Sequence, residues 1–334
     1  MPHPLRVAMV VLASSSMLAG TASFAQSADD KVPLQLEAKV LLGDVRGRID
    51  HLAVDLKRQR LFVAELGNDT IGVIDLANRN FIRRITGLNE PQGVAYEPSS
   101  DALLVANARD GSVRLFDGSG YETGQIALGS DADNIRIDPA AKQAIVGYGE
   151  GGLAFLDPTN KRKIRNLSLI SHPESFQIAP DGRHIFVNLP GARAIAVVDT
   201  DSGKLLASWP MDKAGNYAMA LDNDRARLLV AFRSPPELVA FTVSDGKSVA
   251  TAETCGDVDD ISIDAKRNRV YVSCGAGYID VFETDRTVYR RIARVPTAAG
   301  ARTSLFVPEL DLLLVAVRAG LAGPAAIWLF RPTS

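Results

Sequence analysis

The sequence predicts an all-β protein, a seven-bladed β-propeller of four-stranded antiparallel blades. Three observations carry that expectation. A strand–turn–strand unit recurs seven times at a nearly constant period. Each copy leads into a third apolar strand and, in most, a fourth, more polar one. No amphipathic helical stretch follows the first 25 residues. A four-stranded unit every forty-odd residues has the period of a propeller blade.

The first unit is Leu52 to Val63, a short apolar strand, a polar turn and a second apolar strand. It recurs as Val94 to Val105, Ile135 to Val146, Phe176 to Val187, Met219 to Val230, Ile261 to Val272 and Ser304 to Val315. Anchored on the end of the first strand, the copies align at Asp55, Glu97, Asp138, Ala179, Asp222, Asp264 and Val307. Their spacings are 42, 41, 41, 43, 42 and 43 residues. Third strands follow, such as Thr70 to Asp75, Ser112 to Asp117 and Ala194 to Asp199. Fourth strands such as Arg83 to Ile85 and Lys204 to Ser208 are more polar, as expected of a half-wet rim. The seventh copy ends near Phe330 without a fourth strand. Leu34 to Leu42, ahead of the first repeat, is expected to pair beside residues 326–331, closing the ring and removing two open edges.

The first residues carry one full charge, Arg6, then an apolar run from Val7 to Gly20 and the small-residue end Ser23-Phe24-Ala25. This pattern is that of a secretory signal peptide over residues 1–25, cut after Ala25, with a single propeller domain over 26–334. The apolar run of 14 residues falls short of the ~20 that a spanning helix needs, so no membrane span is expected. The expected location is periplasmic or secreted. In such a compartment Cys255 and Cys274 are expected to form a disulfide. If Asp264 faces Arg269, Cys274 lies opposite Asp259, and Cys255 enters at the same end. The formal charge of −2 and an aromatic content of 6% argue against nucleic acid as a partner.

Phe62-Val-Ala-Glu-Leu-Gly-Asn68-Asp-Thr-Ile-Gly-Val-Ile-Asp75 resembles the YVTN-type propeller repeat of YncE-like bacterial proteins. So do Ile185-Phe-Val-Asn188 and Ala196-Val-Val-Asp199-Thr-Asp-Ser-Gly203. The resemblance covers all seven repeats, about residues 34–332, and departs from the pattern at Phe232 to Glu237 in blade 5. It implies a binding scaffold; some members of the family bind DNA. Neither the Trp-Asp pair of WD repeats nor the double glycine of kelch repeats is present.

The alignment also predicts what gathers where the innermost strands begin. Five residues before each anchor stand Asp50, Gln92, Asp133, Glu174, Tyr217, Asp259 and Arg302. One later stand His51, Gly93, Asn134, Ser175, Ala218, Asp260 and Thr303. Three before the anchor the column is apolar and reads as core. Loops between second and third strands should add Asn68, Asn107, Arg109, Tyr148, Arg233, Tyr278 and Arg318. The candidate ligand site at the channel mouth is therefore Asp50, His51, Gln92, Asp133, Asn134, His172, Glu174, Asp259, Asp260 and Arg302. Such a ring could hold a hard cation such as calcium or bias a general base. Alternatively it caps strand starts, binds water and pairs with Arg302. No cofactor is expected, no metal ligand set is assigned, and no catalytic residue is named.

The reading of function is a scaffold that recognises a small molecule or protein partner at the channel mouth. The alternative is a metal-assisted hydrolase or lyase using the same acids and histidines; a third is binding of single-stranded nucleic acid. Gly147-Tyr-Gly149-Glu-Gly-Gly152 matches a dinucleotide-binding pattern but runs from strand to strand. It reads as a loop needing positive φ. Lys161-Arg-Lys163-Ile-Arg165 reads as a solvated rim strand.

Overall fold

A computed structural model describes residue 1 and residues 32–285, 288–321 and 323–334. The expected signal segment therefore lies, apart from Met1, outside the described residues. Residues 32–334 form one compact unit. It comprises seven antiparallel four-stranded sheets. The innermost strands are Leu52–Asp55, Pro91–Glu97, Ala132–Asp138, Phe176–Ile178, Ala214–Asp222, Val258–Asp264 and Ser304–Val307. Among the described residues no helix is long and apolar enough to cross a membrane.

The ring closes as the sequence predicts. Strand Leu34–Leu41 pairs with Ala326–Pro332, from Leu34 opposite Pro332 to Leu41 opposite Ala326. A bulge between Leu36 and Ala38 sets Glu37 outside the ladder. Its carboxylate accepts from Arg331 at 2.8 Å and from Arg79 of blade 1 at 2.7 Å. Those two guanidiniums hold Glu37 below its ordinary pKa against the opposing effect of burial.

Strand periodicity explains the packing. Alternate residues of a strand point to opposite faces of a blade, hence to opposite neighbouring blades. In blade 1, Leu61, Val63 and Ile74 pack with Leu314, Ile327 and Leu329 of blade 7. Phe62, Ala64, Ile71 and Val73 pack with Leu103, Val105 and Phe116 of blade 2. Strands sandwiched in this way must be apolar on both faces. The fourth strands need not be: Arg162–Ser168 is largely exposed, as the basic run there leads one to expect.

The anchor acids have a local task. Asp55, Asp222 and Asp264 accept the backbone N–H three residues on, at 3.1, 3.2 and 3.2 Å, and the guanidiniums of Arg58, Arg225 and Arg267 return to the same carboxylates. Glu97 and Asp138 cap their turns through Ser99, Ser100, Ala140 and Ala141. Four residues after the anchor, Gln59, Asp101, Lys142, Ala226, Asn268 and Asp311 all have φ between 49° and 53°. The period in sequence is therefore a turn repeated in space.

Cys255 and Cys274 are joined, with Cα atoms 5.8 Å apart. The register differs by one residue from the simple expectation. Asp264 does face Arg269, but Cys274 faces Val258 rather than Asp259. A bulge between Val258 and Asp260 lifts Asp259 out of the ladder.

Candidate functional site at the channel mouth

That bulge belongs to a pattern. Register shifts occur between Pro91 and Val94, Ala132 and Ile135, Asn216 and Ala218, and Val258 and Asp260. They enclose Gln92, Asp133, Tyr217 and Asp259, the residues five before the anchor. In blade 1 the N–H of Asp50 donates to the Ala64 carbonyl while the N–H of Ala64 donates to His51, so two residues face one. Glu174 and Ser175 face Asn188 in the same way. Bulges re-aim side chains and recur beside functional sites. Here they turn successive polar residues of several blades toward the axis, which a regular strand would send to opposite faces.

The result is a cavity of about 330 Å³. All ten residues singled out from the sequence line it: Asp50, His51, Gln92, Asp133, Asn134, His172, Glu174, Asp259, Asp260 and Arg302. Arg48, Asp131, Arg136, Ser175, Tyr217, Met219, Arg233 and Thr303 complete the wall.

On the side of blades 5 to 7, charges are paired. Arg302 reaches Asp257 at 2.8 Å and Asp259 at 2.9 Å. Arg233 donates to the Val258 carbonyl at 2.9 Å, contacts Asp259, and stacks on Tyr217 with its guanidinium 3.9 Å from the ring centre. Burial raises the Asp259 pKa, and the two arginines oppose that rise. Asp260 accepts the Ser304 N–H at 2.7 Å; burial, then the neighbouring Asp259 charge, bring its pKa to about 6.

Blade 1 contributes a coupled cluster. Arg48 contacts Asp50, and His51 Nδ1 lies 3.3 Å from Asp50 Oδ1. Burial disfavours the charged imidazole, yet Asp50, Asp133 and Asp260 outweigh it and raise the His51 pKa to about 9. Asp50 is correspondingly held low: burial works against its ionised form, and His51 and Arg48 prevail.

On the side of blades 3 and 4 the acids lack such partners. Asp133 is 6% exposed, and its Oδ1 has no hydrogen-bond donor. Its Oδ2 lies 3.8 Å from His172 Nε2. His172 donates from Nδ1 to the Gly149 carbonyl at 2.5 Å. Asp133 raises the His172 pKa to about 9, over the opposing effect of burial. Among the described residues no side-chain hydrogen bond or ion pair reaches the Glu174 carboxyl. Burial, then the Asp133 charge, push its pKa to about 7. Gly149, from the glycine-rich segment, has φ of 57°, so that segment serves as a turn presenting a carbonyl to His172.

Four corrections follow. Arg302 and Arg233, both expected at the mouth, share the cavity with Arg48 and Arg136, which were not. Of the loop residues expected at the mouth, only Arg233 lines it. Asn107 is wholly buried, donating to Ser112, and Arg109 bridges Glu90 and Asp69. Met219, aligned with the core, is buried and lines the cavity as well. Arg136, overlooked, lies deep between the mouth and a second, more apolar cavity of about 420 Å³ further along the inner strands. Its signal was present: the aligned column otherwise reads Ala53, Ala95, Gln177, Ala220, Ser262 and Leu305. Among the described residues no group of three or more His, Cys, Asp or Glu side chains is placed to hold a metal ion.

No known protein-family model matches the chain, and no curated protein matches it. Its fold is similar to solved structures. A chain of hydrazine synthase from Kuenenia stuttgartiensis aligns with a TM-score of 0.69 at 16% identity, covering 87% of this chain and 97% of that one. A chain of a mitotic checkpoint complex aligns with a TM-score of 0.77 at 13% identity, covering 97% and 98%. At such identities the likeness concerns architecture alone: this chain is a seven-bladed β-propeller.

Proposed function

We propose that this propeller is an exported binding protein that takes a small polar molecule into its channel-mouth cavity. One observation carries the reading: Asp133, which lines a cavity large enough for a ligand, keeps a buried carboxylate oxygen without a donor. Burying a polar atom without a partner costs ~1–3 kcal/mol, and a bound molecule that supplies the donor removes that cost. A cavity near the lower end of the usual ~300–1,000 Å³ range suits a metabolite better than a protein loop. Export is supported by the disulfide, which needs an oxidising compartment, and by the apolar segment Val7 to Gly20. Membership among YncE-like, YVTN-type propellers rests on the repeats quoted above.

The metal-assisted hydrolase or lyase has less in its favour. Arginines interleave with the acids, and both histidines favour the protonated form, which cannot ligate a metal. The formal charge of −2 and the aromatic content of 6% count against single-stranded nucleic acid. A thermal-shift screen with small polar metabolites tests the proposal. Hits should raise the melting temperature of the native protein but not of Asp133→Ala. A ligand at 100 times its Kd stabilises by ~2.7 kcal/mol, well within detection. Hits that stabilise both proteins equally would move the site elsewhere.

A further inference from the structure

We infer that the molecule held at the mouth is an organic cation with a primary ammonium group, seated between Asp133 and Glu174. This rests on the preceding proposal and specifies its ligand. Three of the four guanidiniums in the cavity face carboxylates, and the fourth, Arg136, bonds only neutral acceptors. Arg48 contacts Asp50; Arg233 and Arg302 serve Asp257 and Asp259; Arg136 donates to Asn134 Oδ1 at 2.7 Å and to the Ile135 carbonyl at 2.9 Å. His172 donates from Nδ1 to Gly149, and its Nε2 lies 3.8 Å from Asp133 Oδ2. Among the described residues, two acceptors on the blade 3–4 side lack a donor: the buried Asp133 Oδ1 and the Glu174 carboxyl.

Between Asp133 and Glu174 an anionic ligand would face two carboxyls that, among the described residues, no guanidinium pairs with. A neutral alcohol could satisfy the hydrogen bonds but not the charge. An ammonium supplies three donors and a positive charge in one group. A divalent ion would require the protonated histidines and the guanidiniums to withdraw. Its second observation, beyond the acidic cluster itself, is the donorless Asp133 oxygen in a side chain more than nine-tenths buried.

The inference gives binding a pH dependence. Glu174 faces Asp133 from blade 3, His172 from its own approach loop, Asp259 from blade 6 and His51 from blade 1; Asp131, Arg136 and Asp260 line the same cavity. With its pKa near 7, Glu174 must give up a proton when an ammonium binds. An alkylamine stays cationic from pH 6 to 8. Affinity should therefore be about tenfold tighter at pH 8 than at pH 6, with proton release visible as buffer-dependent heat.

Isothermal titration with n-butylamine, n-butanol and butyrate is the test, on the native protein, Glu174→Gln and Asp133→Asn, each checked for native melting. The expected result is millimolar or tighter binding of butylamine alone, weakened at least tenfold by either substitution. Loss of its pH dependence in Glu174→Gln is also expected. Butanol or butyrate binding in an Asp133-dependent way would overturn the cation and leave the small-ligand site standing. Butylamine binding unchanged by both substitutions, or no binding by any of the three, would overturn the inference.

Discussion

On the blade 5–7 side of the cavity, Asp259 and the nearby Asp257 meet Arg233 and Arg302; on the blade 3–4 wall, Asp133 meets only His172 at ion-pair distance, and no ion pair reaches Glu174 among the described residues. The paired wall is also braced from behind. The disulfide ties the loop carrying Asp257 to the end of the second strand of blade 6, Arg269–Cys274. The wholly buried Asp280 accepts the Cys255 N–H at 2.8 Å and receives Arg294 at 2.7 and 2.8 Å. The blade 3–4 wall has no disulfide, and behind it the buried Asn188 amide donates to Ser175 Oγ and to the Tyr217 and Ala218 carbonyls. The contrast teaches that a ring of polar residues at equivalent repeat positions is not one kind of site. Where arginines stand between the blades, the acids build structure; where they do not, the acids are left to something else.

Three changes would break or sharpen that contrast. Replacing both cysteines by alanine removes a cross-link over 19 residues. Chain entropy sets its loss at about 3 kcal/mol, about 5 °C in melting temperature for a chain of this size. A smaller fall would mean that the paired wall does not depend on its staple. Asp280→Asn keeps the volume but leaves Arg294 and Arg291, both partly exposed, without their carboxylate. We expect a loss of about 2 kcal/mol by urea unfolding, smaller than for a fully enclosed pair. Comparable losses from Asp133→Asn would erase the difference between the walls.

Glu174→Gln should act in the opposite sense. Glu174 titrates at about 7 in the folded protein against an ordinary value of 4.5. A carboxyl raised on folding favours the folded state below its unfolded pKa, and that contribution is lost as pH rises through 4.5 and 7. The glutamine variant escapes the loss, so it should match the native protein near pH 5 and exceed it at pH 8. The gain is on the order of 1 kcal/mol, read by urea midpoints at both values.

Much of this was legible in the sequence because a propeller repeats its geometry along with its residues. The anchor spacing located the first hairpin of each blade and nine of the ten cavity residues; His172 stands outside the aligned columns. Two things were hidden. The bulges at Asp133 and Asp259 shift the register by one residue, and periodicity alone does not report where a ladder slips. The charge balance was hidden too. Arg48 precedes the aligned columns, Asp131 sits in an approach loop, and Arg136 occupies a column that is uncharged elsewhere. Which arginine reaches which acid is a contact between blades, so no single repeat contains it.

Closure of the ring by its own first strand bears on how the protein is made. Leu34 pairs with Pro332, so the first strand of the propeller waits for almost the whole chain before it has a partner. Bringing such distant ends together costs ~5 kcal/mol of loop entropy, which no local hairpin has to meet. Blades 1 to 6 complete their sheets as they emerge, whereas blade 7 stays three-stranded until the N-terminal strand returns. The same arrangement leaves the two ends of the ring side by side, with the Thr333 N–H donating to the Pro33 carbonyl at 3.0 Å. A circularly permuted chain, linked there and opened between two other blades, should keep the architecture while exchanging that late, long-range step for a short one.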